Sequence, residues 1–232
     1  MVNARNLEKF TKAVKANLLF NENNLKLIQK LFFTAIDRNE EKLNNFMSNL
    51  PSLKEALCAD LKFFMESDPA ADSEEEILLA YPGYHAISSY RIANLIYSLG
   101  YKLHARIITE QAHSLTGIDI HPAANLASPL FIDHGTGIVV GETTTTGRNV
   151  KIYQGVTLGA LSLKDGSKIK GVKRHPTIGE NVIIYAGASI LGAVNIGSNV
   201  TIGSNVFITE SIPDNVKVSF SKPSLVITEN KR

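Results

Sequence analysis

The sequence predicts an α+β protein: a helical N-terminal domain, residues 1–116, followed by a parallel β-coil of six-residue repeats over residues 117–212. Two periodicities lead to this prediction. Before Gly117, apolar residues recur at intervals of three and four, as on the buried face of a helix. After Gly117, aliphatic residues recur at every sixth position, a period typical of a coil with three short flat faces.

Three segments justify the helical domain. Apolar positions in LKLIQKLFFTAI (residues 25–36) share one helix face, and residues 84–100 and 102–117 repeat this pattern. The last two segments each end in glycine, which favours the left-handed residue that closes many helices. A further helix is expected to end at Asp68, because a residue before proline (here Pro69) avoids the α conformation.

The six-residue series justifies the β-coil. With ~18 residues per turn, each turn would place three aliphatic side chains, one from each face, in a central prism. Only Thr144 interrupts the step. The series comprises Ile120, Leu126, Ile132, Ile138, Val150 and Val156 in one register and Ile178, Ile184, Ile190, Ile196, Ile202 and Ile208 in a second register.

The two registers do not join, which indicates a loop that leaves the coil. Residues 161–173, LSLKDGSKIKGVK, are polar and lysine-rich, and the chain returns to the coil at Arg174 and His175. Loops on rigid scaffolds commonly carry function. Residues 213–232 are expected to form a C-terminal tail.

Composition excludes several classes of protein. Of 232 residues, 44% are apolar and 20% charged, and the net charge of +2 gives no electrostatic reason to expect a nucleic-acid partner. Cys58 is the only cysteine, so an internal disulfide is impossible and a cysteine-based zinc site is not expected. The N-terminus lacks the apolar core of a signal peptide, and no stretch approaches the ~18 apolar residues of a membrane span. We therefore expect a soluble cytoplasmic protein without membrane association.

Six short motifs now suggest a family. They resemble the serine O-acetyltransferases, which are hexapeptide-repeat acyltransferases. The resemblance implies a left-handed parallel β-helix, transfer of the acetyl group of acetyl-CoA to the hydroxyl of L-serine in cysteine biosynthesis, and assembly as a homotrimer or a dimer of trimers. The motifs are SDPA (67–70), YHAISSYRI (84–92), DIHPAA (119–124), DHGTGIVVGET (133–143), QGVTLGA (154–160) and RHPTIG (174–179).

The resemblance implies three catalytic residues. His134 is the candidate general base, since imidazole can accept the serine proton near neutral pH. Asp119, 15 residues earlier and thus close to one full coil, is the candidate for orienting that imidazole, although an aspartate capping backbone amides is the alternative. His175 is the candidate for binding serine and stabilising the oxyanion.

The amino acid substrate is a zwitterion, and the resemblance supplies groups for both of its charges. Arg174 suits the carboxylate of serine. Asp68 and Asp133 suit the ammonium group, and Glu142 matches a further motif position. A turn residue before proline is the alternative for Asp68, and a solvated rim residue is the alternative for Glu142.

Acetyl-CoA is expected as a co-substrate, and no metal ion is expected. Small residues that match positions along the pantetheine arm are Gly159, Ala160, Ala186 and Ser204. The family usually has a second glycine where Ala160 stands, and Ser221-Lys222-Pro223-Ser224 replaces a Gly-x-Pro-Ala signature. The short ENKR terminus lacks the terminal isoleucine with which many members bind cysteine synthase, so that partner is not expected.

Three rival functions remain at this point. A hexapeptide acyltransferase acting on a sugar or another small hydroxyl or amine acceptor would share the coil, but the SDPA-containing helical half disfavours it. A γ-type carbonic anhydrase would need two zinc histidines five residues apart, and no His-x4-His occurs. A non-catalytic scaffold with degenerate sites stays open.

Overall fold

The computed structural model describes residues 2–20, 22–162 and 171–221. Residues 163–170 of the expected excursion loop, residues 222–224 of the altered signature and the ENKR terminus lie outside the described residues. The described part contains seven helices: α1 (Ala4–Leu19), α2 (Leu25–Ala35), α3 (Glu40–Ser48), α4 (Leu50–Ser67), α5 (Glu74–Ala80), α6 (Pro82–Ser98) and α7 (Lys102–Thr116). Within those residues, no helix is long and apolar enough to cross a bilayer.

The helices begin and end where local chemistry requires. Ser73 caps α5, because its side chain accepts a hydrogen bond from the amide of Glu76. Asp68 follows α4 in an extended conformation, as the Asp-Pro pair predicts. Gly117 closes α7 with a φ of 72°, the left-handed conformation that glycine adopts without steric cost.

The β-coil has three parallel sheets and five turns. Sheet 1 comprises β1, β4, β7, β10 and β13; sheet 2 comprises β2, β5, β8 and β11; sheet 3 comprises β3, β6, β9, β12 and β14. The strands are β1 (Asp119–Ile120), β2 (Asn125–Leu126), β3 (Leu130–Asp133), β4 (Val139–Val140), β5 (Thr145–Thr146), β6 (Val150–Tyr153), β7 (Thr157–Gly159), β8 (Thr177–Ile178), β9 (Ile183–Ile184), β10 (Ser189–Leu191), β11 (Asn195–Ile196), β12 (Thr201–Ile202), β13 (Phe207–Ile208) and β14 (Lys217–Val218).

The six-residue series is confirmed as the core of this coil. All twelve aliphatic residues of the series are buried, with at most 5% of their surface exposed. Thr144, which interrupts the series, is also buried, and its hydroxyl has no hydrogen-bond partner among the described residues. The inward position therefore tolerates a β-branched residue of similar shape, although an unpaired buried hydroxyl carries a desolvation cost.

A buried ion pair joins the helical half to the first turn of the coil. Arg91 in α6 contacts the carboxylate of Asp60 in α4 through two nitrogens, one of them Nη2, 2.8 Å from Oδ1. The same carboxylate accepts hydrogen bonds from the Ser128 hydroxyl at 3.0 Å and the Leu130 amide at 2.9 Å. Arg91 also donates to the carbonyl of Leu126. Two helices and the coil are thereby held at one point.

Two of the expected boundaries need correction. The expected tail begins at residue 213, but β14 pairs with β12, so the coil continues to Val218. The expected division at residue 116 also does not separate two cores. Phe64 and Tyr84 of the helical half share one apolar cluster with the interior of the coil, while α1 to α3 belong to a second cluster. Hexapeptide spacing could not reveal either point, because packing between segments is not encoded in a local period.

Neighbouring isoleucines on β9 provide a test of the prism. Ile184 is fully buried in the coil, whereas the side chain of Ile183 faces a surface groove. We expect Ile184→Ala to lower the free energy of unfolding by ~2–5 kcal/mol, since the rigid coil cannot collapse around the cavity. Ile183→Ala is the matched control and should cost clearly less. Urea unfolding monitored by circular dichroism measures both, and equal losses would contradict the inward assignment.

Candidate active site

Most of the predicted site residues lie at two corners of the coil, at opposite ends of the strands of sheet 1. The chain turns from sheet 3 into sheet 1 at residues 134–137, 154–155, 186–187 and 204–205, here called the His134 corner. It turns from sheet 1 into sheet 2 at residues 141–143, 160–162 and 171–175, here called the His175 corner. Each corner combines residues from successive turns, because parallel strands stack at ~4.8 Å spacing.

At the first corner, His134 projects into solvent. It follows β3 with a φ of 53°, an uncommon left-handed conformation for a residue other than glycine. Gly135 comes next, also left-handed, and a Cβ there would lie 2.4 Å from Cδ1 of Ile118. Glycine is therefore required for the turn that presents the imidazole. The His134 side chain is 70% exposed, and its Nδ1 lies 3.7 Å from Oδ1 of Asp133.

The helical half brings a second carboxylate to this corner. Asp68 accepts a hydrogen bond from the Ala70 amide at 2.8 Å on Oδ1 and from the Tyr81 hydroxyl at 2.7 Å on Oδ2. That bond to Asp68 is the main reason why the pKa of Tyr81 is raised to about 12, and the charge of Asp133 contributes to the same shift. Asp68 therefore contacts Tyr81 directly, and Asp133 acts on the same hydroxyl through its charge.

At the second corner, the tautomer of His175 is determined by its partners. Its Nδ1 lies 3.0 Å from the backbone amide of Thr143 and 2.8 Å from the Thr143 hydroxyl. Because an amide can only donate, Nδ1 is an acceptor and the proton lies on Nε2. Burial and then the nearby Arg174 lower the pKa of His175 to about 4, so the ring is neutral at physiological pH.

The backbone around His175 is shaped for the ring. A Cβ on Gly141 would lie 2.1 Å from Cδ2 and 2.2 Å from Nε2 of this histidine, so only glycine fits there. The Thr143 hydroxyl also accepts hydrogen bonds from the amides of Arg174 and His175, at 3.0 and 3.1 Å. Thr143 therefore holds the residues that follow the excursion loop against the coil.

Arg174 and Glu142 form an ion pair beside this histidine. Nη2 of Arg174 lies 2.5 Å from Oε2 of Glu142, and this bond lowers the pKa of the glutamate. The side chains are 21% and 23% exposed, so the pair faces solvent at its edge. A carboxylate ligand arriving at this corner would meet a guanidinium that is already fixed in orientation.

Asp119 lies on sheet 1 between the two corners. Its register partner is Val139, and its Oδ1 lies 3.6 Å from Nη1 of Arg106 in α7. Among the described residues, the structure does not bring Asp119 into contact with His134. The role of Asp119 as the orienting carboxylate of that histidine stays a prediction.

The four residues expected along the CoA arm divide between the corners. Ala186 and Ser204 lie below His134 on the third and fourth turns, at the same corner, and the amide after Ser204 donates to the carbonyl of Ala186 at 2.9 Å. Gly159 ends β7 and Ala160 follows it, at the corner of His175. A Cβ on Gly159 would lie 2.9 Å from Cδ2 of Leu191.

Two residues that matter at these corners escaped the sequence analysis. Thr143 is the last residue of DHGTGIVVGET (133–143), and its place in that motif is the signal that points to it. Tyr81 gave no signal, because its partner Asp68 is far away in the sequence.

A group of metal-ligand type, Glu110, His113 and Asp119, has ligand atoms within 4.8 Å of one another. Arg106 contacts both carboxylates and balances their charge, so we assign no metal ion to this group.

The lowered pKa of His175 predicts an acid-dependent loss of stability. Unfolded histidine titrates near pH ~6.5, whereas the folded ring titrates at about 4. Between these values the unfolded chain binds the proton more tightly, so stability is lost as pH falls from ~6.5 towards ~4, by about 1–3 kcal/mol for this residue. The melting temperature, measured by thermal unfolding at several pH values in this range, should fall less steeply with decreasing pH for His175→Asn than for wild type. The exposed His113→Asn is the control, and parallel slopes for wild type and His175→Asn would contradict the prediction.

Comparison with known proteins identifies the family. The family model "Serine acetyltransferase, N-terminal" matches residues 9–89, and "Bacterial transferase hexapeptide (six repeats)" matches residues 175–210. A plasmid-encoded serine acetyltransferase of Synechococcus elongatus is 50% identical over 171 residues, which are 72% of this chain and 54% of that relative, so the chain spans about half of its length. A serine acetyltransferase of Staphylococcus epidermidis is 45% identical over 173 residues, 75% of this chain and 78% of the relative.

Solved structures agree with these relatives. Serine acetyltransferase isoform 3 of Entamoeba histolytica, in complex with cysteine, has a TM-score of 0.82 at 36% identity and covers 99% of this chain and 85% of its own. Serine acetyltransferase of Neisseria gonorrhoeae, in complex with serine, has a TM-score of 0.72 at 34% identity, with coverage of 92% and 82%. The chain belongs to the serine acetyltransferase family.

Proposed function

We propose that this chain is a serine O-acetyltransferase, which transfers the acetyl group of acetyl-CoA to the hydroxyl of L-serine and yields O-acetyl-L-serine and CoA for cysteine biosynthesis. One observation carries the proposal beyond family membership. The Tyr81 hydroxyl donates to Asp68 of the helical half, and the charge of Asp133, whose Oδ1 lies 3.7 Å from Nδ1 of the exposed His134, acts on the same hydroxyl. Two carboxylates next to a candidate base suit an amino acid that carries both an ammonium group and a hydroxyl.

Serine binding would use charges from both corners. Asp68 and Asp133 receive the ammonium group, and Arg174 receives the carboxylate by paired hydrogen bonds. Glu142 holds the guanidinium in place, which supports a positioning role for this glutamate. A zwitterion bound at both ends presents its hydroxyl in one orientation, and such alignment is a large part of the rate gain in group transfer.

The proposed chemistry is a direct acyl transfer. His134 takes the proton of the serine hydroxyl while the oxygen attacks the thioester carbonyl. His175, neutral with its proton on Nε2, donates to the tetrahedral oxyanion. The C–S bond then breaks, and the proton on His134 passes to the CoA thiolate. Asp119 would stabilise the imidazolium; the exposure of His134 leaves its ring free to turn towards that carboxylate.

A complete site would need two chains. His134 and His175 stand at opposite ends of the strands of sheet 1, at different corners of one coil. The two imidazoles would therefore meet where the His134 corner of one chain faces the His175 corner of a second chain. The outward residues Val139 and Phe207 of sheet 1 are 39% and 64% exposed, which leaves apolar surface to be covered. A cyclic homotrimer, alone or paired with a second trimer, has three such interfaces.

The same arrangement suits acetyl-CoA as the co-substrate. The column of small residues below His134, including Ala186 and Ser204, leaves space for an extended arm, and Gly159 and Ala160 would line the other wall from the second chain. The thioester would then reach His134 from the lower turns. We place the reaction in the cytoplasm and propose neither a metal ion nor a cysteine synthase partner.

Removing the proposed base should affect the chemical step. His134→Ala is expected to lower kcat by ~10²–10⁴ and to leave the KM for acetyl-CoA within about twofold of wild type, because a general base acts on the proton and not on CoA. The release of CoA measures turnover with L-serine, simple sugars and amines as separate acceptors. His113→Ala, an exposed histidine of α7, is the control. Full activity of a folded His134→Ala variant would show that this residue is not the base. Turnover by the wild-type protein with another acceptor, and none with L-serine, would show that serine is not the substrate.

Mixing inactive chains tests the shared site. His134→Ala and His175→Ala chains, unfolded together and refolded at equal concentrations, should regain activity, because some interfaces combine an intact His134 with an intact His175. Random assembly gives about a quarter of the wild-type sites in a cyclic trimer. The refolded trimers are separated by differently charged tags to show that they are mixed. No recovery in such mixed trimers would mean that each chain carries its own complete site.

A further inference from the structure

We propose that Tyr81 is a positioning residue for serine, which holds the carboxylate of Asp68 in the orientation that receives the substrate ammonium group. This inference rests on the proposed function. It starts from the hydrogen bond of 2.7 Å between the Tyr81 hydroxyl and Oδ2 of Asp68. The other oxygen of Asp68 accepts from the Ala70 amide at 2.8 Å. With a donor on each oxygen, the carboxylate has one orientation, and lone pairs remain on both oxygens for a ligand.

The ring of Tyr81 is itself fixed by its surroundings. Tyr81 precedes α6, and Gly83 in the first turn of that helix touches the coil so closely that a Cβ would lie 2.1 Å from the carbonyl oxygen of Ile132. Ile132 is the neighbour of Asp133 in β3. Phe64 of α4 packs edge-on against the Tyr81 ring, with 6.3 Å between centroids. The start of α6 is therefore pressed against the strand that ends in Asp133.

The hydroxyl is suited to a constant role as donor. The pKa of Tyr81 is raised to about 12, first by its bond to Asp68 and also by the charge of Asp133. It thus stays protonated across the physiological range. The un-ionised hydroxyl donates to Asp68 without neutralising it, so the negative charge of that carboxylate remains available to the ammonium group.

The Tyr81→Phe variant removes the hydroxyl and retains the ring. We expect the KM for L-serine to rise roughly 10-fold, the loss associated with a hydrogen bond to a charged group, while kcat and the KM for acetyl-CoA change less than about threefold. The matched control is Tyr101→Phe, because the Tyr101 hydroxyl also donates to an aspartate, Asp37, at 2.9 Å within the helical half. Tyr101→Phe should leave the KM for serine unchanged.

A double-mutant cycle separates positioning from a general structural role. In an Asp68→Asn background, Tyr81→Phe should add little further loss, because Tyr81 acts through the carboxylate that has been removed. KM does not depend on the concentration of active enzyme, so the comparison holds even where a variant is partly unfolded. An unchanged KM for serine in Tyr81→Phe, or an equal loss in both backgrounds, would overturn the assignment. Absence of serine acetylation by the wild-type protein would instead refute the proposed function, and the assignment with it.

Discussion

The position of the helical half on the coil, and with it that of Asp68 at the His134 corner, depends on the buried ion pair between Asp60 and Arg91. Burial pushes the pKa of Asp60 upward, and the guanidinium of Arg91 opposes that shift together with the donors from Ser128 and Leu130. A fully paired buried carboxylate fixes geometry more than it adds stability, because desolvation offsets much of the attraction. Here it fixes the angle at which α4 lies on the first turn of the coil. Asp68 follows the last residue of α4, so the Asp60–Arg91 ion pair also helps to fix the position of Asp68 relative to Asp133.

The coil supplies a different kind of precision. Its turns repeat at a fixed spacing, and each turn is held by backbone hydrogen bonds to the turn above and below. Side chains at equivalent corners therefore stack in columns, with His134 at the top of one column and His175 within another. A rigid scaffold of this kind keeps reacting groups in place with little ordering on binding. The helical half contributes what the repeat cannot, a carboxylate and a tyrosine at the outer side of a corner.

The sequence predicted the coil well, because a prism with one inward aliphatic residue in six imposes a period that survives in the sequence. It also predicted where α7 ends. The extent of the coil was underestimated, since Val218 follows a stretch in which Ile212 forms only an isolated bridge with Ile196 and the period is disturbed. The shared core of helices and coil was missed, because contacts between Phe64 or Tyr84 and the coil are tertiary and leave no local pattern.

The site was predictable only as separate residues. Motif resemblance proposed His134, His175, Arg174 and the two aspartates, but it could not say that they divide between two corners of one chain. That division has a physical consequence. Sheet 1 lies between the two corners, so the two imidazoles stand at opposite ends of its strands. If the reaction needs both rings, as we propose, the second ring comes from another chain and catalysis depends on assembly. In the proposed assembly, the Arg174–Glu142 pair and the Thr143 bonds would keep one wall of the site in place before the chains meet, and association would have little left to order.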